Sequence, residues 1–333
     1  MFVERLHPSV SASACWPHSD LESLCNEARR IRTSNPPRFR FQPVNLPMKR
    51  LDFRRGRAAV LGLAGGFLVS CAPAINLLNP TTPRFVGEDA IPTPQVAATP
   101  ALRIVTFNIK LSRRIDRAIE VLQSDSVRGA DIVALEEMDN TGVDRIARAL
   151  RLNYVYYPAS IHPTDHKYFG PAILSRWPIE RSWKLLLPHE ARFRHQRRSA
   201  TGAIVRVRDQ RIRVYAVHLE TPVRISEAGR EDQVQTVLSD ASRFDGPVVI
   251  AGDFNSYGVG PYLVRQGYRW LTSRVGSSIS FFSWDHIFVR DLSPARPASA
   301  GVVREVRGAS DHHPVWAVAV PELRGLASLP AAR

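Results

Sequence analysis

The 333-residue chain holds three cysteines, Cys15, Cys25 and Cys71, and none after residue 71. That distribution excludes a thiol nucleophile, a zinc–thiolate site and a disulfide framework for the larger part of the chain. Long apolar runs are also lacking. Ala58 to Val69 is apolar for 12 residues, which is too short to span a bilayer stably. There is no internal repeat, and residues 1–47 carry no periodicity from which an element can be read. What remains is ordinary for a globular protein: 44% hydrophobic and 23% charged residues, enough to bury a sizeable core in one large domain or two small ones. The net charge of +14 divides into +6 over residues 1–70 and +8 over residues 71–333. The second value favours anionic partners in general: phosphate esters, polyanions or acidic lipid surfaces.

From Met48 the chain reads MKRLDFRRGRAAVLGLAGGFLVSCAP. Lys49, Arg50, Arg54, Arg55 and Arg57 precede the apolar segment, which ends in Leu68-Val69-Ser70-Cys71. Basic leader, short apolar core, small residue and cysteine in this order resemble the signal peptide and lipobox of bacterial lipoproteins. The resemblance implies lipidation at Cys71, residues 48–70 as the signal peptide and residues 1–47 absent from the mature protein. It also implies a place in the cell envelope, anchored to a membrane and facing the periplasm or exterior. Residues 71–100 contain Pro73, Pro80, Pro83, Pro92, Pro94 and Pro100, a composition expected of a semi-extended tether that holds the following domain clear of the membrane. The main domain is expected over 101–320, with a tail at 321–333.

Along that domain short apolar strands alternate with a few helices. Leu102–Asn108 (LRIVTFN) alternates and ends in an amide. Asp116–Leu122 has helical spacing. Asp131–Leu135 (DIVAL) is a buried strand ending at Glu136-Glu137, of which alternation points one inward. Further strands are expected at 154–157, 170–179, 183–187, 202–207 and 211–219, with helices at 143–150 and 226–244, the latter capped by Ser226. Pro247–Ser256 reads PVVIAGDFNS: a strand buried on both faces, then Gly252, Asp253 and Asn255, which alone read as a turn. Phe281–Val289 (FFSWDHIFV) is expected to be a strand with Asp285 embedded in it, and a buried carboxylate there requires a partner, most naturally a histidine. Ser310-Asp311-His312-His313-Pro314 precedes the last strand, 315–320. The pattern predicts an α/β fold of two sheets packed face to face with helices outside.

Polar groups recur at strand ends: Asn108, Glu137, His218, Asp253 with Asn255, Asp285, and Asp311 with His312. Together they offer hard oxygen donors and histidine without cysteine, a set suited to Mg2+ or Mn2+ rather than zinc. Phosphoester hydrolysis requires such parts: a cation on the phosphoryl oxygens, an oriented water and a group that manages protons.

TFNIK, DIVALEEM, VHLE, GDFNS, DHIFV and SDHHP occur in that order between Leu102 and Val320. In this the chain resembles the endonuclease/exonuclease/phosphatase superfamily, the group of pancreatic-type deoxyribonuclease and the abasic-site endonucleases. The resemblance implies the deoxyribonuclease I-like four-layer fold, a two-layer β-sandwich flanked by helices. Carried over position by position, it implies Glu137 as principal metal ligand with Asn108 and Asp311 near the same cation. Asp253 would orient or deprotonate the attacking water, and Asn255 would hold the scissile phosphate. His218 would bond its oxygens or assist the leaving group, and His312, oriented by Asp285, would be the general acid/base. The family has Gln where Glu136 stands, so either acid is a candidate ligand. Pro171 replaces an Asn of many relatives and is given no role; His286 and His313 are read as structural.

The run Arg192, Arg194, His195, Arg197 and Arg198 reads as a solvated loop or as a rim attracting an anionic substrate, with Arg197 and Arg198 as its binding residues. The resulting expectation is a monomeric, metal-dependent phosphodiesterase or nuclease acting by in-line attack of water on a phosphate ester, with nucleic acid among the candidate substrates. The alternatives are a lipid or inositol phosphate head-group phosphoesterase and a catalytically silent, membrane-tethered binding module.

Overall fold

The computed structural model describes residues 73–90, 101–124, 126–295 and 299–322. The expected upstream segment 1–47, the signal peptide 48–70, Cys71 and most of the tail lie outside the described residues. Among the described residues no helix is long and apolar enough to cross a membrane.

In chain order the elements are β1 (Ile75–Asn76), β2 (Phe85–Glu88), β3 (Leu102–Asn108), α1 (Ile115–Leu122), β4 (Ile132–Met138), α2 (Asn140–Leu150), β5 (Asn153–Tyr156), β6 (Ser160–Ile161), β7 (Tyr168–Ser175), β8 (Ile179–Glu190) and β9 (Arg197–Val207). They continue as β10 (Gln210–His218), α3 (Glu227–Ala241), β11 (Val248–Asp253), α4 (Val259–Arg265), β12 (Arg269–Trp270), β13 (Asp285–Arg290), β14 (Leu292–Pro294), β15 (Ala300–Val302) and β16 (Val315–Pro321). The first sheet runs β1-β6-β7-β4-β3-β16-β14, with β15 on β16 and β5 joining β2 to β7; the second runs β12-β13-β11-β10-β9-β8. The central pairs β3–β4 and β10–β11 are parallel, and β16 and β13 flank them antiparallel.

These strands are apolar on both faces because each sheet is covered on both sides. Leu102, Ile104, Ile132 and Ala134 of the first sheet pack against Ala203, Val214, Ala216, Val249, Ala251 and Ile287 of the second. The alternate residues Val105, Phe107, Val133 and Leu135 meet Ile115, Val121, Val143 and Ile146 of α1 and α2. On the far side Tyr215, Val217, Ile250 and Phe288 meet Val234, Val237 and Leu238 of α3 and Leu263 of α4. The layers are therefore helices, sheet, sheet, helices, the expected sandwich. The Ser226 hydroxyl accepts from Gly229 N at 3.1 Å, the cap predicted for α3.

Two expectations are corrected. Residues 73–90 are not a free tether. β1 pairs with β6, β2 pairs with β5, and Leu77 N donates to Ala159 O at 2.9 Å. Edge strands this short fit between the prolines, since they need backbone partners rather than an apolar stripe. The strand predicted from Phe281 begins only at Asp285; Phe281 and Phe282 are exposed in the preceding loop, where Phe282 N turns back to Ile279 O at 2.8 Å.

Candidate active site

The inward stripes between the sheets turn polar at one end. After Leu102 and Ile104 the same face continues with Thr106 and Asn108; after Ile132 and Ala134 with Glu136; after Val214 and Ala216 with His218. Asp253 follows Val249 and Ala251, and Asp285 precedes Ile287 and Val289. Period-two alternation sets these directions, and register aligns the ends: Asn108 lies beside Glu136, His218 beside Asp253, and Asp253 beside Asp285. Gly252 makes this closeness possible, since a Cβ there would lie 1.9 Å from Val217 O. His286 falls on the other face, among Phe254, Tyr257 and Trp270, with Nε2 donating to Ser256 O at 3.1 Å. Burial lowers its pKa to about 4. His313 bonds Val303 O and also points away.

Asp253, Asp285 and His312 bring ligand atoms within 4.8 Å of one another, and all three are buried. His312 donates from Nδ1 to Asp285 Oδ2 at 2.8 Å and turns Nε2 toward Asp253 Oδ2 at 3.8 Å. On the opposite side His218 Nε2 lies 3.6 Å from the same Asp253 oxygen, which also accepts from Asn108 Nδ2 at 3.0 Å. Asn255, at φ 48°, donates its backbone N–H to Asp253 Oδ1 at 2.9 Å and its side-chain amide to Leu219 O at 3.0 Å.

Charge in this cluster is unevenly compensated. Burial, reinforced by Asp285, pushes the Asp253 carboxyl up to about 7, and burial with Asp285 and Asp253 nearby drives Glu136 well above the carboxylate range. Burial alone would lower His312, but the Asp285 and Asp253 carboxylates outweigh it and raise the imidazole to about 10. His218 is held well below its usual value by burial and then by Arg198, so it is neutral. Asp285 Oδ1 is buried and has no hydrogen-bond partner among the described residues.

The predicted ligands Glu137 and Asp311 stand apart from this buried group. Glu137 sits at φ 59°, where the β4–β7 register shifts, and its carboxylate accepts from Leu111 N at 3.1 Å. Asp311 is half-exposed and pairs with Lys110 Nζ at 2.8 Å; against its burial, that bond keeps its carboxyl below the usual range. Asn108 Oδ1 accepts from Lys110 N at 3.0 Å. All three thus border residues 108–111. Of the adjacent acids, Glu136 is fully buried and accepts from Thr106 Oγ1, so it takes the inward place and Glu137 the outer one. The donors that Glu137, Asp311 and Asn108 offer are carboxylate and amide oxygens, with no nitrogen or thiol among them. That chemistry fits a hard divalent cation.

The two arginines named from the basic run separate. Arg197 pairs with Glu190 at 3.0 Å and faces out of the site. Arg198 is buried, binds Glu220 through Nε and Nη2 at 3.0 Å each, and places Nη1 3.1 Å from both ring nitrogens of His218. Phe169 packs under its guanidinium at 5.1 Å and against His218 at 5.6 Å. Glu220, two residues beyond His218, is a site residue that the sequence reading misses. Its signal is a second polar group on the same strand-end face, within VHLE. The position of Pro171 is structural: its carbonyl accepts from Thr201 Oγ1 at 2.7 Å.

Residues 105–312 match the model of the Endonuclease/Exonuclease/phosphatase family. No curated protein matches the chain in sequence. Among solved structures, the endonuclease/exonuclease/phosphatase from Bacteroides vulgatus is similar at 17% identity and TM-score 0.54, covering 67% of this chain and 100% of that one. The one from Beutenbergia cavernae gives 18% and 0.53, covering 66% and 72%. D. rerio TDP2 complexed with single strand DNA product gives 19% and 0.52, covering 66% and 98%. At these identities the likeness is one of fold.

Proposed function

The chain belongs to the endonuclease/exonuclease/phosphatase family, and from that premise we propose that it is a divalent-metal-dependent phosphoesterase that hydrolyses phosphate diesters by in-line attack of water. The observation that carries this reading is the His312–Asp285 pair facing Asp253 and His218 across one buried cluster rich in carboxylate. Glu137, Asn108 and Asp311 would hold Mg2+ or Mn2+, which when bound supplies positive charge to the phosphoryl oxygens. Asp253, aligned by Asn108 and by the backbone of Asn255, orients the attacking water and takes its proton as the bond to phosphorus forms. His312, charged and aimed by Asp285, donates from Nε2 to the phosphoryl group and acts as the general acid for the departing oxygen. Neutral His218 accepts from Arg198 with one nitrogen and offers the N–H of the other to a phosphoryl oxygen. Asn255 has a second amide hydrogen for the same purpose, beyond the one given to Leu219.

The basic balance supports an anionic substrate, and nucleic acid is the class favoured here. The leader ending at Cys71 supports a lipidated, membrane-anchored protein outside the cytoplasm. Purified protein is expected to hydrolyse bis-p-nitrophenyl phosphate with Mg2+ and to stop when a chelator is added. A panel of single- and double-stranded DNA, RNA, inositol phosphates and phospholipids then ranks the substrates. Absence of turnover on every member would end the enzymatic reading.

A further inference from the structure

The segment expected to be a tether is instead built onto the loop that leads into Arg198. Ala74 N donates to Arg194 O at 2.9 Å, Asn76 Nδ2 donates to His195 O at 2.7 Å, and Asn76 Oδ1 accepts from Arg197 N at 2.8 Å. Lys184 Nζ donates to Leu77 O at 2.7 Å and Pro158 O at 3.1 Å, fixing the next residue as well. β1 thus lies along the loop 191–196, and that loop feeds directly into Arg198 beside His218.

Three large apolar side chains on this edge face solvent: Phe193 is 73% exposed, Ile75 61% and Leu78 52%. Arg192 and Arg194 flank Phe193, and among the described residues neither makes an ion pair, whereas Arg197 and His195 share Glu190. Apolar side chains set among unpaired arginines match the chemistry of a bilayer surface with anionic head groups, where the apolar groups enter the acyl boundary and the cations meet phosphate. Chain connectivity adds to this. Ala74 lies three residue steps from Cys71, a reach of at most about 10 Å, and the apolar segment Ala58–Val69 stops just before. Any membrane hold in that part of the chain brings the lipid surface to this edge.

We propose that β1 and the loop 191–196 form a docking face for an anionic lipid bilayer, next to the strand start that carries Arg198. The face deepens the membrane placement given under the proposed function and rests on it only for the direction of the chain. The experiment uses the full chain with Cys15, Cys25 and Cys71 changed to Ser, so that no acyl anchor is present. Phe193→Cys in this background carries an environment-sensitive fluorophore. Asp209→Cys, in the turn at the far end of β9, is the control, about 30 Å along the strand.

With phosphatidylcholine vesicles containing phosphatidylglycerol, the label at 193 is expected to shift to the blue and the label at 209 to stay unchanged. In sedimentation, Phe193→Ser with Ile75→Ser should weaken binding roughly tenfold or more. Arg192→Glu should weaken it further at low salt. Hydrolysis of bis-p-nitrophenyl phosphate by the Phe193→Ser variant should match the parent. Equal shifts at 193 and 209, or vesicle binding unaffected by the substitutions, would overturn the proposal. Loss of single-stranded DNA binding with vesicle binding intact would also overturn it, in favour of a nucleic-acid rim. Failure of hydrolysis in the parent would count against the enzymatic reading alone, because the shift and the sedimentation need no turnover.

Discussion

The second sheet holds its contribution to the site by strand register. His218, Asp253 and Asp285 are the terminal partners of β10, β11 and β13, each at 2% exposure or less. Apart from the buried Glu136, the first sheet gives its acids where register has ended: Glu137 at a shift in the β4–β7 ladder and Asp311 in the loop before β16. One half is pre-organised by the backbone and dry; the other is wetter and partly neutralised by Lys110. Proton handling requires fixed geometry and a low dielectric, whereas cation binding with retained waters tolerates adjustment of its ligands. In the proposed mechanism this contrast would give proton handling to the second sheet together with His312, and cation binding to the first.

The sharpest way to break this division is to remove His312. His312→Ala is expected to lower kcat about a thousandfold with the fold intact, as read by circular dichroism and turnover of bis-p-nitrophenyl phosphate. Asp285→Asn should act through the histidine, lowering kcat with little change in KM and moving the pH profile. If His312→Ala keeps full activity, proton handling does not reside there.

Arg198 tests the buried half by stability. Arg198→Met takes both bidentate bonds from buried Glu220, leaving it the more distant Arg224 at 3.7 Å and the Thr221 N–H, and is expected to cost about 3 kcal/mol in denaturant unfolding. Replacing both residues by apolar ones of similar volume should recover most of that loss but not the activity, because His218 would still lack its orienting donor. A stability loss under about 1 kcal/mol in the single variant would mean that water reaches the pair.

The pH dependence of the metal-free protein provides a third test. Asp253 rises to about 7 and His312 to about 10, both above their unfolded values near 4 and 6.5. Each group therefore binds its proton more tightly when folded. The Asp253 contribution is complete below pH 4 and lost as pH rises through 7; that of His312 is complete below 6.5 and lost through 10. In chelator the melting temperature is expected to fall as pH rises from 5 to 10, and His312→Asn should flatten the upper part of the fall. A rise over that range would contradict the charge assignments.

Much of this was legible because the site is the polar end of apolar stripes. LRIVTFN carries the alternation that ends on Asn108, DIVALEE the one that turns one of its two acids inward, and VVIAGDFN a buried strand that ends in polar groups, so the strands and their polar ends were read together. The same rule accounts for His286, which the structure shows on the other face. What was not legible depended on partners remote in sequence. Prolines on both sides of Ile75 and Phe85 suggested a tether, because a strand of two to four residues at a sheet edge shows no period of its own. The Arg192–Arg198 run looked uniformly solvated, yet Glu220, 22 residues on, takes Arg198 into the interior. α4 was hidden by Gly258, Gly260 and Pro261, residues that argue for a loop until Trp270 is seen packed against Gly260.

The smallest effect tests the other side of the comparison. Lys110 holds Asp311 at 2.8 Å with both side chains nearly half exposed, so the pair itself adds little to stability. Its consequence is competition: an ammonium on Asp311 opposes a second cation on the same carboxylate. Lys110→Ala is expected to leave the melting temperature in chelator nearly unchanged and to tighten Mg2+ binding about twofold to fivefold, a free-energy change of about 0.4–1 kcal/mol. Asp311→Asn should weaken Mg2+ binding while kcat at saturating metal changes much less. Titration calorimetry against Mg2+ reads both. Weaker metal binding in Lys110→Ala would place the cation away from Asp311, nearer the buried carboxylates of the second sheet, and the proposed division between the sheets would fail.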